Sequence, residues 1–212
     1  MEEKLGAGRR TVFMEGVHDG VPIALGYFVV AFTLGILAKT AGLTPWQGFV
    51  TSAVNIASAG EYAGFTVIAA QAPYLEIAVL TLVANARYFL MAAALTQRFA
   101  PETPLLHRLA VSFGVTDEIF GITVARGGAL NPYYNYGAMA ISVPAWSAGT
   151  SAGILAGGIL PAAAVSALSV ALYGMFVWVI LPAAKKSRPI GGMVLLSCIL
   201  SLAATYAPVT GE

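Results

Sequence analysis

The sequence predicts an all-α membrane protein, a polytopic bundle of about seven transmembrane helices, some of them broken at glycine or polar positions. Three observations predict it. The 212 residues are 58% hydrophobic and 10% charged, with a mean hydropathy of +0.79, whereas soluble domains carry about 25% charged residues. Apolar runs of about the 20 residues needed to cross a hydrocarbon core recur along the chain. Three of these runs are interrupted by ionisable side chains, each costing roughly 2.5–3.5 kcal/mol on insertion scales unless it finds a partner, a proton or water.

Residues 1–20 form a polar lead-in, and 21–208 a single transmembrane domain with spans at about 21–38, 49–70, 75–97, 108–127, 136–156, 162–182 and 190–208. Within the lead-in, Phe13 and Val17 stand four apart, which fits a short helix lying at the membrane interface with His18 as an interfacial residue. The first apolar run lacks a small-residue cleavage site and reads as an uncleaved first helix. The second contains Ser58-Ala-Gly-Glu61-Tyr-Ala-Gly64, where Gly60 and Gly64 weaken the helix and admit a neighbouring backbone. The charge-free run from Asn135 to Ala184 holds two spans, with Gly157-Gly158 and Pro161 turning the chain between them.

In the fifth span, Gly149, Gly153 and Gly157 share one face at spacings of four, a smooth stripe for helix packing inside the bundle or against a second subunit. Gly35-Ile-Leu-Ala recurs at Gly153, a short hint of duplication. An inverted repeat leaves little sequence trace and stays open. Trp46, Tyr74, Tyr133, Tyr134, Tyr136 and Trp178 fall near span ends, as interfacial anchors do.

Lys/Arg bias sets orientation. With the N-terminus inside and seven crossings, Lys4, Arg9, Arg10, Arg126, Lys185, Lys186 and Arg188 lie in the cytoplasm, and Lys39, Arg98 and Arg108 outside. That favours a multi-pass cytoplasmic-membrane protein with its N-terminus in the cytoplasm. The loop from Arg98 falls on the disfavoured side, so either the rule is overruled there or one earlier segment is re-entrant.

Composition also excludes. A net charge of +1 argues against a nucleic-acid partner. The lone Cys198 forms no intrachain disulfide, and His18 and His107 are far apart, so no metal set is expected. There is no HExxH, GxSxG, Walker A or GxGD motif. The expectation is therefore no enzyme and no cofactor.

The polar interruptions carry the chemistry. The second span holds Asn55 and Glu61, the third Asn85-Ala-Arg87-Tyr88, and the fourth Ser112 and Gly114-Val-Thr116-Asp117-Glu118. Three carboxyls face one guanidinium, so at least one carboxyl is expected to be neutral or balanced by a cation or an ammonium group. A group that alternates between those states suits a proton-coupled carrier. Asp117 and Glu118 are about 100° apart on a helix and share a pocket only if the helix breaks there. Gly114 and Gly121 make a break credible, and the start of a half-helix suits a carboxylate ligand.

Taken together, these stretches resemble the AzlC family, the large subunit of branched-chain amino acid exporters. The resemblance rests on Gly16 to Pro22 and on to Gly35, Ser58-Ala-Gly-Glu-Tyr-Ala, Asn85-Ala-Arg87-Tyr88 and Thr116-Asp-Glu118-Ile-Phe120, in the family's order. It implies an efflux permease driven by protons that exports valine, leucine, isoleucine or similar small amino acids, together with a small AzlD-type membrane subunit. The family commonly has Gln where this chain has Glu61, and Glu61 can carry a proton where Gln cannot.

On this reading Arg87 or a half-helix N-terminus holds the substrate carboxylate. Glu61, with Asp117 or Glu118, holds the ammonium or the coupling proton, and Asn55, Asn85 and Thr116 add neutral hydrogen bonds. The rivals are a passive channel or permease for another small solute, and a non-transporting subunit that stabilises a partner.

Overall fold

The computed structural model describes residues 2–157, 159, 184–185 and 188–206, and every described element is helical apart from one isolated bridge between Phe99 and Leu130. The chain divides into two compact units, Met1–Leu172 and Tyr173–Glu212. In the first unit lie α1 (Glu2–Thr40), α2 (Pro45–Asn55), α3 (Ser58–Ala69), α4 (Tyr74–Ala84), α5 (Ala86–Thr96), α6 (Leu105–Phe113), α7 (Asp117–Ala125) and α8 (Pro132–Ala156). In the second lies α9 (Arg188–Tyr206), which covers most of the expected 190–208 span. The expected span 162–182, with Trp178, and the turn residues Gly158 and Pro161 lie outside the described residues.

The lead-in is not a separate interfacial helix: it is continuous with the first apolar run in α1. At about 1.5 Å per residue, 39 residues span roughly 58 Å, nearly twice a hydrocarbon core. Of the described helices, α1 alone is long and apolar enough to cross a membrane by itself; α4 and α5 qualify together as a pair bent by 45°.

α1 packs along α8, the most extensive contact in the unit. A Cβ on Gly16 would strike Tyr134, on Gly149 Phe28, and on Gly35 Thr150 and Gly153. Residue numbers rise together along this seam, so the two helices run parallel. The stripe Gly149-Gly153-Gly157 therefore lies against α1, with Gly157 beside Ile36 and Lys39. A methyl group at Gly153 would collide with the Phe32 carbonyl, so Gly153→Ala is expected to lower stability by about 1–3 kcal/mol. Gly121→Ala, on an open face of α7, is expected to cost nothing or to stabilise slightly. Thermal melting of the two variants in detergent checks the difference.

Three of the expected spans are broken, each by a local device. After α2, whose start is fixed by a Thr44–Gln47 capping box with Pro45 in the first turn, Ile56 turns left-handed (φ 42°) and Ala57 is extended. The α4–α5 bend falls at Asn85. Between α6 and α7 the chain opens at Gly114, and the Thr116 hydroxyl caps the new helix by accepting the Ile119 N–H at 3.2 Å.

The directions of these half-helices differ from a row of simple crossings. The end of the unit where α8 begins is here the near end, and the opposite end the far end. His107 meets Tyr136 and Gly114 meets Met139, so α6 runs with α8. Tyr27 joins Thr116 to the Trp146 level, while Thr123 meets Asn135, so α7 runs against α8. α6 and α7 are thus a hairpin that enters from the near end and returns to it.

A second hairpin enters from the far end. α2 begins where the Pro45 carbonyl accepts Ser151, and it ends with Asn55 beside Asn85; α3 then runs antiparallel to α4, with Gly60 against Asn85. α5 runs alongside α7, from the Arg87–Asp117 pair to Arg98. The runs 49–70 and 108–127, each expected as one full crossing, fold here as pairs of half-helices. Each reverses at a mid-run break: a left-handed turn at Ile56 between α2 and α3, and the Thr116-capped start of α7 after Gly114.

The Arg98 guanidinium donates to the Val124 and Gly128 carbonyls, and the Arg98 carbonyl accepts from Leu130 N–H at 2.7 Å, so Arg98 sits at the near end with Arg126. Leu95, Phe99, Val111, Val115 and Leu130 form the buried apolar cluster that holds this end of the hairpin to α5.

Candidate functional site

The two hairpins bring the starts of α3 and α7 to the middle of the unit. Carboxylates stand in the first turn of both half-helices: Glu61 in α3, Asp117 and Glu118 in α7. The partial positive charge of a helix N-terminus favours acidic groups there. For the same reason these N-termini are already faced by the chain's own carboxylates.

Glu61 is almost fully buried, with 1% of its surface exposed. Its Oε1 accepts the Trp146 indole N–H at 2.6 Å, and its Oε2 lies 2.9 Å from the Ser52 hydroxyl, which also contacts Thr150 Oγ1 at 2.7 Å. These partners come from α2 and α8, so one side chain ties a half-helix to two other elements. Both donors are neutral, and no cation pairs with Glu61 among the described residues.

A second cluster surrounds the start of α7. The Tyr27 hydroxyl lies 2.5 Å from Thr116 Oγ1 and 2.6 Å from Glu118 Oε2. Its single proton serves one of these oxygens, and the other contact uses a proton from the partner's side. Arg87 pairs with Asp117 at 3.0 Å, and both side chains are partly exposed. The Arg87 guanidinium also sits over the Tyr88 ring, 5.3 Å from its centroid.

The clusters touch through aromatic rings. Tyr27 and Trp146 meet edge to face, with centroids 5.2 Å apart and planes at 72°. Behind them Asn85 donates to Asn55 at 3.3 Å, while its own Oδ1 is buried without a partner among the described residues. Gly60 leaves the space in which the Asn85 amide lies; Gly64 meets open space, so the close approach expected at both glycines occurs at Gly60 alone. Beside Asn85 a cavity of about 740 Å³ opens between α4, α5 and α6, with Thr81, Tyr88 and Ser112 among apolar walls that include Phe89 and Leu109.

The seven candidate side chains are therefore distributed rather than merged. Asn55 meets Asn85, Arg87 meets Asp117, and Thr116 and Glu118 share Tyr27. Asp117 and Glu118 face different partners, as their angular separation requires. Glu61 stands apart, joined to the rest through Trp146.

Sequence reasoning missed Tyr27, Ser52, Trp146 and Thr150. The available signal was position: Tyr27 and Trp146 lie in the middle of apolar runs, not at their ends, and Ser142, Trp146 and Thr150 repeat every four residues on one face of α8. Among the described residues no group of three or more His, Cys, Asp or Glu side chains could hold a metal ion.

Comparison with known proteins fits this geometry. A family model described as AzlC protein matches residues 22–160. An uncharacterized membrane protein of Archaeoglobus fulgidus is 29% identical over 195 residues, covering 89% of this chain and 85% of that protein. The inner membrane protein YgaZ of Escherichia coli is 32% identical over 115 residues, 54% of this chain and 46% of that protein. An uncharacterized membrane protein of Helicobacter pylori is 28% identical over 114 residues, 52% of this chain and 49% of that protein. No solved structure matches.

Proposed function

The chain belongs to the AzlC family, and from that premise we propose that it is a secondary transporter exporting branched-chain or similar small amino acids across the cytoplasmic membrane, coupled to protons. The observation that carries this reading is the Arg87–Asp117 pair, partly exposed at the level where two half-helix hairpins meet and one residue from the Tyr88 wall of an apolar cavity. An amino acid offers a carboxylate, an ammonium and an aliphatic chain. Arg87 takes the carboxylate in exchange for Asp117, and Asp117 takes the ammonium. The cavity lined by Asn85, Tyr88 and Phe89 takes the side chain. Glu61 and Glu118, more deeply buried, hold the coupling proton.

In this reading α1 and the α4–α5 pair cross, α8 crosses beside α1, along which it runs parallel, and the two hairpins enter from opposite faces. Within the described part of the first unit this makes three crossings and two re-entrant pairs. Arg9, Arg10, Arg98, Arg108 and Arg126 then share the N-terminal side, with Lys39 opposite, which supports a cytoplasmic N-terminus. A small AzlD-type subunit completes this reading on the strength of the family.

Leucine counterflow tests it. Liposomes holding the chain and its small subunit, preloaded with unlabelled leucine, are expected to accumulate labelled leucine well above protein-free liposomes. Correctly inserted protein that exchanges none of valine, leucine or isoleucine removes the transporter reading.

A further inference from the structure

Three features outside the substrate site lie toward the near end of α8. At the near end a cavity of about 760 Å³ is lined by Arg10, Met14, Glu15, His18, Asp19 and Arg126, all polar but one. Its floor is ionic: Arg126 pairs with Glu15 at 2.5 Å, and Asp19 accepts Tyr134 at 2.7 Å and contacts His18 at 3.1 Å. One residue beyond Tyr134, Asn135 is 1% exposed; its amide N–H donates to Thr123 at 2.9 Å, while its Oδ1 has no hydrogen-bond partner among the described residues. Two turns further, the Ser142 hydroxyl is fully buried and equally unpartnered among them.

Asn135, Ser142, Trp146 and Thr150 stand at intervals of seven, four and four, so they share one face of α8. The helix rise places Ser142 about 10 Å above Asn135 and about 6 Å below Trp146. Two buried polar atoms that bond to nothing are rare in native proteins, and the usual partner is water. Above them the groups facing Glu61 and Glu118 are Ser52 from α2, Tyr27 from α1, Trp146 and Thr150 from α8, and Thr116 from α7, with Arg87, Tyr88 and Asp117 alongside.

We propose that this face of α8 is the path by which the coupling proton passes between the buried carboxyls and the near-end cavity, carried by water held on Ser142 and Asn135. The path rests on the transporter reading and adds its proton exit. A proton leaves the Glu118 or Glu61 carboxyl, each hop forms one O–H bond as another breaks, and the proton arrives at Asp19, His18 or the water of the cavity. No oxidation state changes. Among the described residues neither side chain hydrogen-bonds a residue assigned to the substrate, so on this proposal they act on the proton alone.

The test uses the full chain with its small subunit in liposomes carrying an internal pH dye. The variants are Asn135→Leu, which keeps the heavy-atom outline and removes the amide, Ser142→Ala, which removes the hydroxyl without adding bulk, and Ser142→Thr, which keeps the hydroxyl. Leucine transport driven by a pH gradient is expected to fall at least about tenfold in the first two, with counterflow at equal pH within about twofold of wild type and Ser142→Thr close to wild type in both assays. Proton-driven transport that stays within twofold in both apolar variants overturns the path while leaving the transporter reading in place. So does loss of counterflow in all three variants, which would mark a packing role. Wild-type protein that shows no counterflow overturns the transporter reading, and the path with it.

Discussion

Glu61→Gln is expected to lower leucine transport driven by a pH gradient by at least about tenfold, with little change in thermal stability. The amide is nearly the same shape as the carboxyl. Its oxygen still accepts the Trp146 N–H, and its NH2 donates to Ser52, whose own proton then goes to Thr150. Every hydrogen bond of the buried cluster survives, so a loss of coupling reports the missing proton and not a damaged fold.

Glu61→Ala behaves differently. It leaves the Trp146 indole N–H facing a void without an acceptor, at about 1–3 kcal/mol, while Ser52 keeps Thr150, so this variant is expected to melt lower as well. Melting in detergent beside proton-driven uptake separates the two variants. A Glu61→Gln protein that keeps wild-type proton drive removes Glu61 from the coupling mechanism.

Arg87→Ala carries the second large effect. A charge-assisted hydrogen bond is worth about 2–3 kcal/mol, so leucine transport should fall roughly 30- to 150-fold, in counterflow as well as in proton-driven uptake. The difficulty is that Asp117 is then left without its partner, and a structural ion pair would also fail. Arg87→Ala combined with Asp117→Asn decides between these causes. If the pair only holds α5 to α7, neutralising both ends restores most of the transport. If Arg87 binds the substrate carboxylate, the double variant stays inactive while its melting temperature recovers.

Much of this was legible in the chain, for local reasons. Hydropathy and scarcity of charge identify an all-helical membrane protein, because the bilayer imposes its demand residue by residue. Of the two glycines that made a break credible in the fourth run, Gly114 stands at it and Gly121 lies inside α7; the Thr116 cap that starts the new helix emerged only in the structure. The polar interruptions stand out locally against apolar runs. Trp146 and Tyr27 did not, since a buried aromatic that donates one hydrogen bond looks like any other apolar residue until its partner is known.

Residue order alone gave the helical membrane class, one break at Gly114, and which ionisable groups must be accommodated inside; the breaks at Ile56–Ala57 and Asn85 came from the structure. Only the tertiary structure decided which way each half-helix runs and whom each charge meets. A break says that the chain can turn, not through what angle. Here the angle comes from contacts distant in sequence: Met139 against Gly114, Arg98 on the carbonyls of Val124 and Gly128, Ser151 on Pro45. Those contacts fold two expected crossings into hairpins, bring Arg98 to the side of the other arginines, pair Arg87 with Asp117, and leave Glu61 to Trp146 and Ser52.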